Sequence, residues 1–367
     1  MKKAILKNMQ CSILICTILL SAIGIVALYS ATKNAEYDEL KKQIMWLVVS
    51  IPVLITIMVI NYEIIVKVTP FFYGLALVLL ILVLFTKPIN GATSWFEMGQ
   101  FSFQPAEFAK IFVTLMLARC IVHIQKKGRE QISKPIKLFI ALTVVIIPVL
   151  LIVIQPDYGT AIAFLIATIL MLFVAGLDKK YIIIAFVSII VIVPLLYFFV
   201  LPPHAKTRID VFLNPNLDPR GAGYNVIQSK LAIGAGQLFG MGINKGNQTQ
   251  LGFLYPKTTD FIFSVIGEEM GFVIAGTVIV LYIILITKAI YIAKTAKDDL
   301  GSYIAVGVAG IFLFHMLENI GMTMGLLPIT GVPLPFVSYG GSSLLTNMIL
   351  IGLLLNISIR RKKAVFK

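Results

Sequence analysis

The sequence predicts an all-α polytopic membrane protein with ten transmembrane helices. Of its 367 residues, 59% are hydrophobic and only 13% are charged, whereas soluble domains carry about 25% charged residues. So much apolar surface cannot be buried in a soluble core of this length, so the bilayer has to solvate most of it. The apolar runs also lack the period-2 alternation of barrel strands, which makes them helices that satisfy their own backbone groups in lipid.

Ten apolar segments are long enough to cross a bilayer, which takes about 17 to 25 residues. In chain order they lie near 11–31, 44–61, 69–86, 105–124, 136–154, 158–176, 180–201, 261–287, 301–326 and 338–359. The first segment follows a basic N-terminus like that of a signal peptide, but its length and the many later spans indicate a retained helix. We therefore expect one integral-membrane domain over residues 1–367.

The basic residues predict the orientation of the spans, because short loops rich in Lys and Arg stay in the cytoplasm. An even number of spans then places both termini there, and the longest polar stretch, about 202–260, becomes a large extracellular loop between helices seven and eight. This loop holds six Lys or Arg against three Asp. It is either a solvated loop or a basic surface that attracts an anionic substrate. Its apolar stretch 224–238 predicts short helices at the membrane. Topology thus explains the net charge of +14 better than nucleic-acid binding does.

Ionisable groups inside or beside the spans are candidate functional residues, because such groups are costly in lipid. Glu107 and Lys110 share one helix face, where they form either a structural ion pair or part of a site. Asp157 lies between the fifth and sixth spans and suits a helix N-cap equally well. Asp260 begins the eighth span, where an acid is also favoured as a cap next to the positive end of the helix dipole.

Other polar features carry weaker indications. Glu268 and Glu269 are adjacent and point in different directions, so at most one of them has to face a cavity. His315 and Glu318 share a face of the ninth span. The segment 234–242, GAGQLFGMG, has the spacing G-x-G-x-x-x-G and follows no predicted strand, which argues against a nucleotide site. The sequence also has no zinc-type or EF-hand spacing, and its three cysteines are predicted to be small hydrophobes.

Five long motifs run from the fourth span to the last. They are FQPAEFAKI (103–111), QPDYGTA (155–161), GYNVIQSKLAIGAGQLFGMG (223–242), TDFIFSVIGEEMGF (259–272) and GLLPITGVPLPFVSYGGSS (325–343). Together, and in this order, they resemble the SEDS family, the RodA/FtsW/SpoVE group of bacterial cell-wall polymerases. The GQLFG variant and the TQLGF stretch are most similar to the RodA branch.

The resemblance implies a peptidoglycan glycosyltransferase that polymerises lipid II into glycan strands at the outer face of the bacterial cytoplasmic membrane. It implies lipid II, the growing glycan chain and a class B penicillin-binding protein transpeptidase as partners, and no nucleic acid. Asp260 falls on the family's essential aspartate, and we predict that it is the catalytic base of an inverting transfer. The predicted substrate-binding residues are Glu107, Lys110, Asp157, Arg208 and Lys230.

Cofactors and two departures from the family pattern leave questions open. No cofactor is firmly implied; a divalent cation, Mg²⁺ or Mn²⁺, is one way to neutralise a diphosphate leaving group, and its ligands are unknown. Many relatives have arginine at Ser94 and Ser102, so any phosphate contact of those arginines is absent here or supplied elsewhere. Many also have histidine at Thr258, so a general-acid or metal role for that histidine cannot apply here. The alternative functions are a lipid II flippase and a non-enzymatic scaffold for the transpeptidase.

Overall fold

The computed structural model describes residues 9–88, 92–99, 101–199, 203–218 and 221–361. An antiparallel hairpin, β1 (Phe96–Met98) and β2 (Phe101–Phe103), joins the third and fourth helices, with Phe96 opposite Phe103. The α-helices in chain order are α1 Cys11–Ala31, α2 Asp38–Val59, α3 Tyr62–Leu82, α4 Pro105–Ile124, α5 Pro135–Ile154, α6 Tyr158–Val174, α7 Lys179–Phe199, α8 Pro203–Leu213, α9 Ala222–Ala235, α10 Asn247–Gln250, α11 Ile262–Thr295, α12 Asp299–Thr323 and α13 Gly341–Ile359. The first and fourth predicted spans match α1 and α4 residue for residue.

Several helices begin where the sequence supplies a start signal. Pro105 and Pro135 occupy the first turns of α4 and α5, where the missing proline N–H costs nothing. Asn61, Asp157 and Asp298 cap α3, α6 and α12 by accepting a hydrogen bond from a backbone N–H two or three residues on. The N-cap role considered for Asp157 is therefore real.

In the described part of the chain, seven helices are long and apolar enough to cross a membrane: α1, α2, α3 (extended to Phe85), α5, α11, α12 and α13. This confirms a multi-pass membrane protein. Helix α6 is apolar but has 17 residues, and α4 carries Glu107, Lys110 and Arg119, which lower its hydropathy. A short helix, α9, occupies most of the apolar stretch predicted within the large loop.

The core of the bundle lies around α12 and α13, the most buried of the seven spans. Helix α13 packs against α2, and α12 packs against α11 and α6. Glycines bring α12 close to its neighbours: a Cβ at Gly307 would lie 2.5 Å from Thr114 Cγ2, and one at Gly310 would lie 2.9 Å from Ala167 Cα. Small residues allow such close helix packing in lipid, where van der Waals contact drives association.

Helix α11 differs from the predicted eighth span in length and in shape. The prediction ended it at residue 287, but the helix continues to Thr295, so part of the connection between the predicted eighth and ninth spans is helical. The helix is also broken at Gly271, whose φ of 78° and ψ of −179° are not helical. The long helix thus consists of two segments joined at Gly271. The backbone conformation there is one that only a residue without a Cβ adopts easily.

The segment 236–242 satisfies the backbone groups that this break exposes. The N–H groups of Phe272 and Val273 donate to carbonyls of that segment at 2.8 and 3.1 Å. In return, the carbonyls of residues 268 and 269 accept hydrogen bonds from the segment at 2.9 and 3.0 Å. A Cβ at Gly240 would lie 2.2 Å from the Glu269 carbonyl oxygen. The glycine-rich motif therefore packs against a broken helix, which is the form in which irregular backbone is tolerated at membrane depth.

Candidate active site

One cavity of about 700 Å³ lies where several connections between helices converge. Its lining comes from residues 31–46, from the hairpin region 92–104, from the start of α6, from Arg208 and from the two loops 255–260 and 330–343. Three of the predicted site residues line it: Asp260, Asp157 and Arg208. The remaining three, Glu107, Lys110 and Lys230, lie outside this lining.

Asp260 lies at the end of the large loop, with its side chain partly exposed to the cavity. It is not a helix cap, because the N-cap position of α11 is Phe261, which makes no side-chain cap hydrogen bond. Asn319 of α12 instead holds the local backbone by donating to the carbonyls of Asp260 at 3.0 Å and of Val332 at 2.9 Å. Burial raises the pKa of the Asp260 carboxyl, while the Thr259 hydrogen bond and the positive charge of Arg208 lower it.

The loop 338–340 fixes the residues just before Asp260. Ser338 Oγ donates to the Thr259 carbonyl at 2.6 Å, and the Tyr339 N–H donates to the Thr258 carbonyl at 2.9 Å. Two separate elements, this loop and α12, therefore hold the backbone of the Asp260 segment. A carboxylate on such a backbone has a defined position relative to the cavity.

Asp157 joins the start of α6 to the start of α4. Its carboxylate accepts from the Thr160 N–H at 3.1 Å and from Gln104 Nε2 at 2.8 Å. Burial raises the pKa of the Asp157 carboxyl, and these hydrogen bonds together with the charge of Lys110 oppose that shift. Asp157 thus lines the cavity and also orders its wall.

Glu107 and Lys110 form an ion pair inside the bundle. Lys110 Nζ lies 2.7 Å from Glu107 Oε1, and each side chain is 1% exposed. Lys110 Nζ also lies 3.1 Å from His315 Nε2, and His315 Nδ1 lies 3.0 Å from the Pro333 carbonyl. Because a carbonyl only accepts, Nδ1 carries the proton and Nε2 accepts from Lys110. The pair therefore acts on the cavity through His315 and the loop that contains Pro333.

The cations of the large loop occupy different places. Arg208 of α8 lines the cavity, but Lys230 of α9 is exposed and lies beside Gly325. A Cβ at Gly325 would lie 3.2 Å from Lys230 Nζ. Lys257 was not among the predicted site residues, yet it lines the cavity three residues before Asp260 and donates to the Thr249 carbonyl at 2.8 Å. Burial lowers the pKa of the Lys257 ammonium, and the charges of Glu269, Glu39 and Glu268 oppose this.

Glu268 and Glu269 are both buried and both hold the same loop, and neither is among the residues that line the cavity. Glu268 accepts from the Gln248 N–H at 2.7 Å, the Thr249 N–H at 2.9 Å and the Thr249 hydroxyl at 2.6 Å. Glu269 accepts from the N–H groups of residues 244 and 246 and from the side chain of residue 250. We call this arrangement the glutamate clamp. It fixes the loop 244–250, which in turn holds Lys257.

Metal ligands are sparse in this region. Within the described ranges, no group of three or more His, Cys, Asp or Glu side chains is placed to hold a metal ion. Asp157 and Asp260 both line the cavity, so each can offer a carboxylate to an ion that already has other ligands.

Comparisons with known proteins identify the family. The family model FTSW_RODA_SPOVE, described as a cell cycle protein family, matches residues 10–363. The chain belongs to this family. It is 41% identical to the peptidoglycan glycosyltransferase MrdB of Escherichia coli strain K12 over 295 residues, which are 80% of this chain and 78% of MrdB.

Two further comparisons cover almost the whole chain. The chain is 34% identical to the peptidoglycan glycosyltransferase RodA of Treponema pallidum, with 95% of this chain and 97% of that protein covered. Its fold matches a chain from a peptidoglycan synthase complex, described for its structural coordination of polymerization and crosslinking, with a TM-score of 0.82. That match has 28% identity and covers 95% of this chain and 97% of the other. The SEDS resemblance is thereby confirmed.

Proposed function

We propose that this protein is a peptidoglycan glycosyltransferase that polymerises lipid II by inverting glycosyl transfer. One observation carries the proposal: a single cavity brings together the carboxylate of Asp260 and the cations Arg208 and Lys257. Two of the relatives described above, which are similar to this chain over most of its length, bear the name peptidoglycan glycosyltransferase. The chain is therefore an enzyme of cell-wall synthesis.

The chemistry needs one base and a positive environment for the leaving group. The acceptor 4-hydroxyl oxygen attacks the anomeric carbon of the donor with inversion, and the bond from that carbon to the diphosphate oxygen breaks. The hydroxyl proton passes to the Asp260 carboxylate, and the lipid diphosphate leaves with the bonding electrons. Because diphosphate is a good leaving group, it needs charge stabilisation and no general acid.

Arg208 and Lys257 are the cations that stabilise this diphosphate. Both line the cavity, whereas Lys110 is engaged by Glu107 and His315 and Lys230 lies on the exposed face of α9. We therefore assign the diphosphate to Arg208 and Lys257 in place of Lys110 and Lys230. Asp157 and the Glu107–Lys110 pair order the walls of the cavity.

A divalent cation fits this arrangement only with help from the substrate. In the described part of the chain, no cluster of three protein ligands exists, so Mg²⁺ or Mn²⁺ would take most of its oxygens from the diphosphate and one or two from Asp260 or Asp157. Such an ion would supply further neutralisation of the leaving group. The transfer itself proceeds through the residues named above.

The topology follows from the same assignment. The cavity is lined by connections that the Lys and Arg distribution predicts to be outside, so the site faces outward and both termini are cytoplasmic. We propose ten spans, with the loop of about 202–260 outside between the seventh and eighth, in one integral-membrane domain 1–367. The likeness to a chain from a peptidoglycan synthase complex supports a class B penicillin-binding protein as the crosslinking partner.

The test is in vitro polymerisation of labelled lipid II by the purified protein with its partner. Asp260→Asn preserves the shape of the side chain and removes the base, so we expect substrate binding to persist while glycan strands disappear. Glu130→Gln, which changes an exposed acid in the connection between α4 and α5, away from the cavity lining, should leave the rate unchanged. A wild-type rate for Asp260→Asn would refute the assignment of the base.

Two other outcomes correspond to the alternative functions. Transfer of lipid II across proteoliposomes without any polymer would favour a flippase. Normal cell-wall synthesis in cells that carry Asp260→Asn, with the transpeptidase still bound, would favour a scaffold.

A further inference from the structure

The two tryptophans of this chain line the same cavity as Asp260. The sequence contains only Trp46 and Trp95, which are separated by 48 residues, and both are partly exposed in the cavity lining. Tryptophan in a membrane protein is commonly found at the lipid interface. Here both indoles instead border a chamber that also contains charged groups.

Trp46 is held rigidly by the start of α13. A Cβ at Gly341 would lie 2.2 Å from Trp46 Nε1 and 2.4 Å from Cε2, so the indole occupies the space that a side chain there would need. Gln43, one turn earlier on the same face of α2, donates to the Ser338 carbonyl at 3.1 Å and accepts from the Gly340 N–H at 3.1 Å. The orientation of the Trp46 ring is thus set by α13 and by the loop before it.

That loop is the one that fixes the catalytic segment. Ser338 Oγ donates to the Thr259 carbonyl and the Tyr339 N–H donates to the Thr258 carbonyl. Gln43 and the residues just before Asp260 are therefore attached to the same short loop. The indole on α2 and the carboxylate before α11 keep a constant spacing as long as this loop is intact.

Trp95 is anchored at the base of the β-hairpin. Its neighbour Ser94 is 2% exposed and donates to the Gln155 carbonyl at 3.3 Å. On the second strand and just after it, Ser342 Oγ accepts from the Gln104 N–H at 3.2 Å and donates to the Ser102 carbonyl at 3.3 Å. The hairpin is thereby tied to the start of α13, on which Trp46 also packs.

We propose that Trp46 and Trp95 form a saccharide platform that binds N-acetylhexosamine rings of the substrate or growing glycan by stacking. A pyranose ring has an apolar C–H face and a rim of hydroxyls, so it suits a chamber that combines indole faces with acids and amides. A polyprenyl tail does not suit it, because the same lining contains Glu39, Asp157 and Arg208. This proposal rests on the proposed function and names the part of the substrate that the cavity grips.

The platform is testable by binding alone, without catalysis. The probe is a soluble β-1,4-linked tetramer of N-acetylglucosamine, titrated into the purified full-length protein in detergent and followed by calorimetry. Intrinsic fluorescence gives a second readout, since every tryptophan of the chain lines the cavity. We expect saturable binding to the wild type with a change in tryptophan emission.

The variants Trp46→Leu and Trp95→Leu remove the aromatic ring and keep an apolar side chain. Each should weaken binding of the tetramer by about 2- to 12-fold, the range expected from aromatic contact beyond buried area. Trp46→Phe and Trp95→Phe keep a smaller ring, so their affinity for the tetramer should lie between those of the wild type and the leucine variants. They also serve as the test if a leucine variant does not fold. Phe139→Leu is the matched control, because Phe139 of α5 is 68% exposed on the outside of the bundle.

The outcomes separate this proposal from the proposed function. Unchanged affinity in both leucine variants, or no saturable binding to the wild type, overturns the platform even if lipid II is polymerised. Asp260→Asn should bind the tetramer as tightly as the wild type. If the tetramer binds in a tryptophan-dependent way but no variant, including the wild type, makes polymer, only the proposed function fails.

Discussion

The glutamate clamp makes a quantitative prediction about Glu268→Gln. Glu268 is fully buried and accepts three hydrogen bonds from two residues of the loop 244–250. Glutamine has nearly the same shape but only one acceptor oxygen. If that oxygen keeps the two bonds from Thr249, the Gln248 N–H faces an amide NH₂ and loses its partner.

The cost follows from those contacts. A buried donor without a partner costs about 1–3 kcal/mol, and hydrogen bonds to a neutral acceptor are weaker than bonds to a charged one by about 1 kcal/mol each. The sum is about 3–5 kcal/mol, and we use its lower end, about 3 kcal/mol, for the destabilisation of the loop relative to its open form. Because each 1.4 kcal/mol is a factor of ten, the open population should increase roughly a hundredfold.

Limited trypsin digestion in detergent measures this opening. Lys245 is an exposed cleavage site inside the clamped loop, and cleavage there tracks the open population when opening and closing are fast. Mass spectrometry identifies the cut, and Glu130→Gln again serves as the exposed control. An increase in cleavage below about threefold would refute the view that Glu268 holds this loop. Polymerisation should fall in parallel, because the loop also carries the contact between Lys257 and Thr249.

Two further predictions concern charge in and below the cavity. Arg208→Gln removes a positive charge that lowers the pKa of Asp260, so the pKa of Asp260 should rise further. Because the base acts as a carboxylate, the acidic limb of the pH–rate profile should then move to higher pH. A limb at the same or a lower pH would contradict this coupling. Lys110→Met leaves the buried Glu107 carboxylate unpaired and should cost about 3–5 kcal/mol of stability, whereas Glu107→Gln combined with Lys110→Met should recover most of it. Thermal unfolding in detergent measures both variants, and an equal loss in the single and double variants would show that the pair is not energetically coupled.

Much of the architecture was predictable from local sequence. Hydropathy placed α1 and α4 residue for residue, because proline, cap residues and apolar runs are local signals whose effect does not depend on distant parts of the chain. The acids Asp157 and Asp260 were also recognisable, because charged groups next to apolar spans are rare enough to be noticed. The break in α11 was not predicted, since a glycine in an apolar run is compatible with a straight helix.

The assignment of cations shows where local signals end. Arg208, Lys230 and Lys257 are equivalent as charges in one polar loop, yet two of them line the cavity and one is exposed on α9. Their distribution depends on how the loop folds over the bundle. The positions of charges along a sequence do not show how the loop folds over the bundle.

By itself, the sequence determined that this protein is a bundle of apolar helices with acids at the ends of spans, because the bilayer imposes length and hydropathy on every span. The tertiary structure decided which of those residues meet. It joined Asp260 to Arg208 and Lys257 in one cavity, used Glu268 and Glu269 to hold the loop that supports Lys257, and brought Trp46 onto Gly341. These relations arise from packing between segments far apart in the chain, and such packing leaves no periodic or compositional trace at either residue.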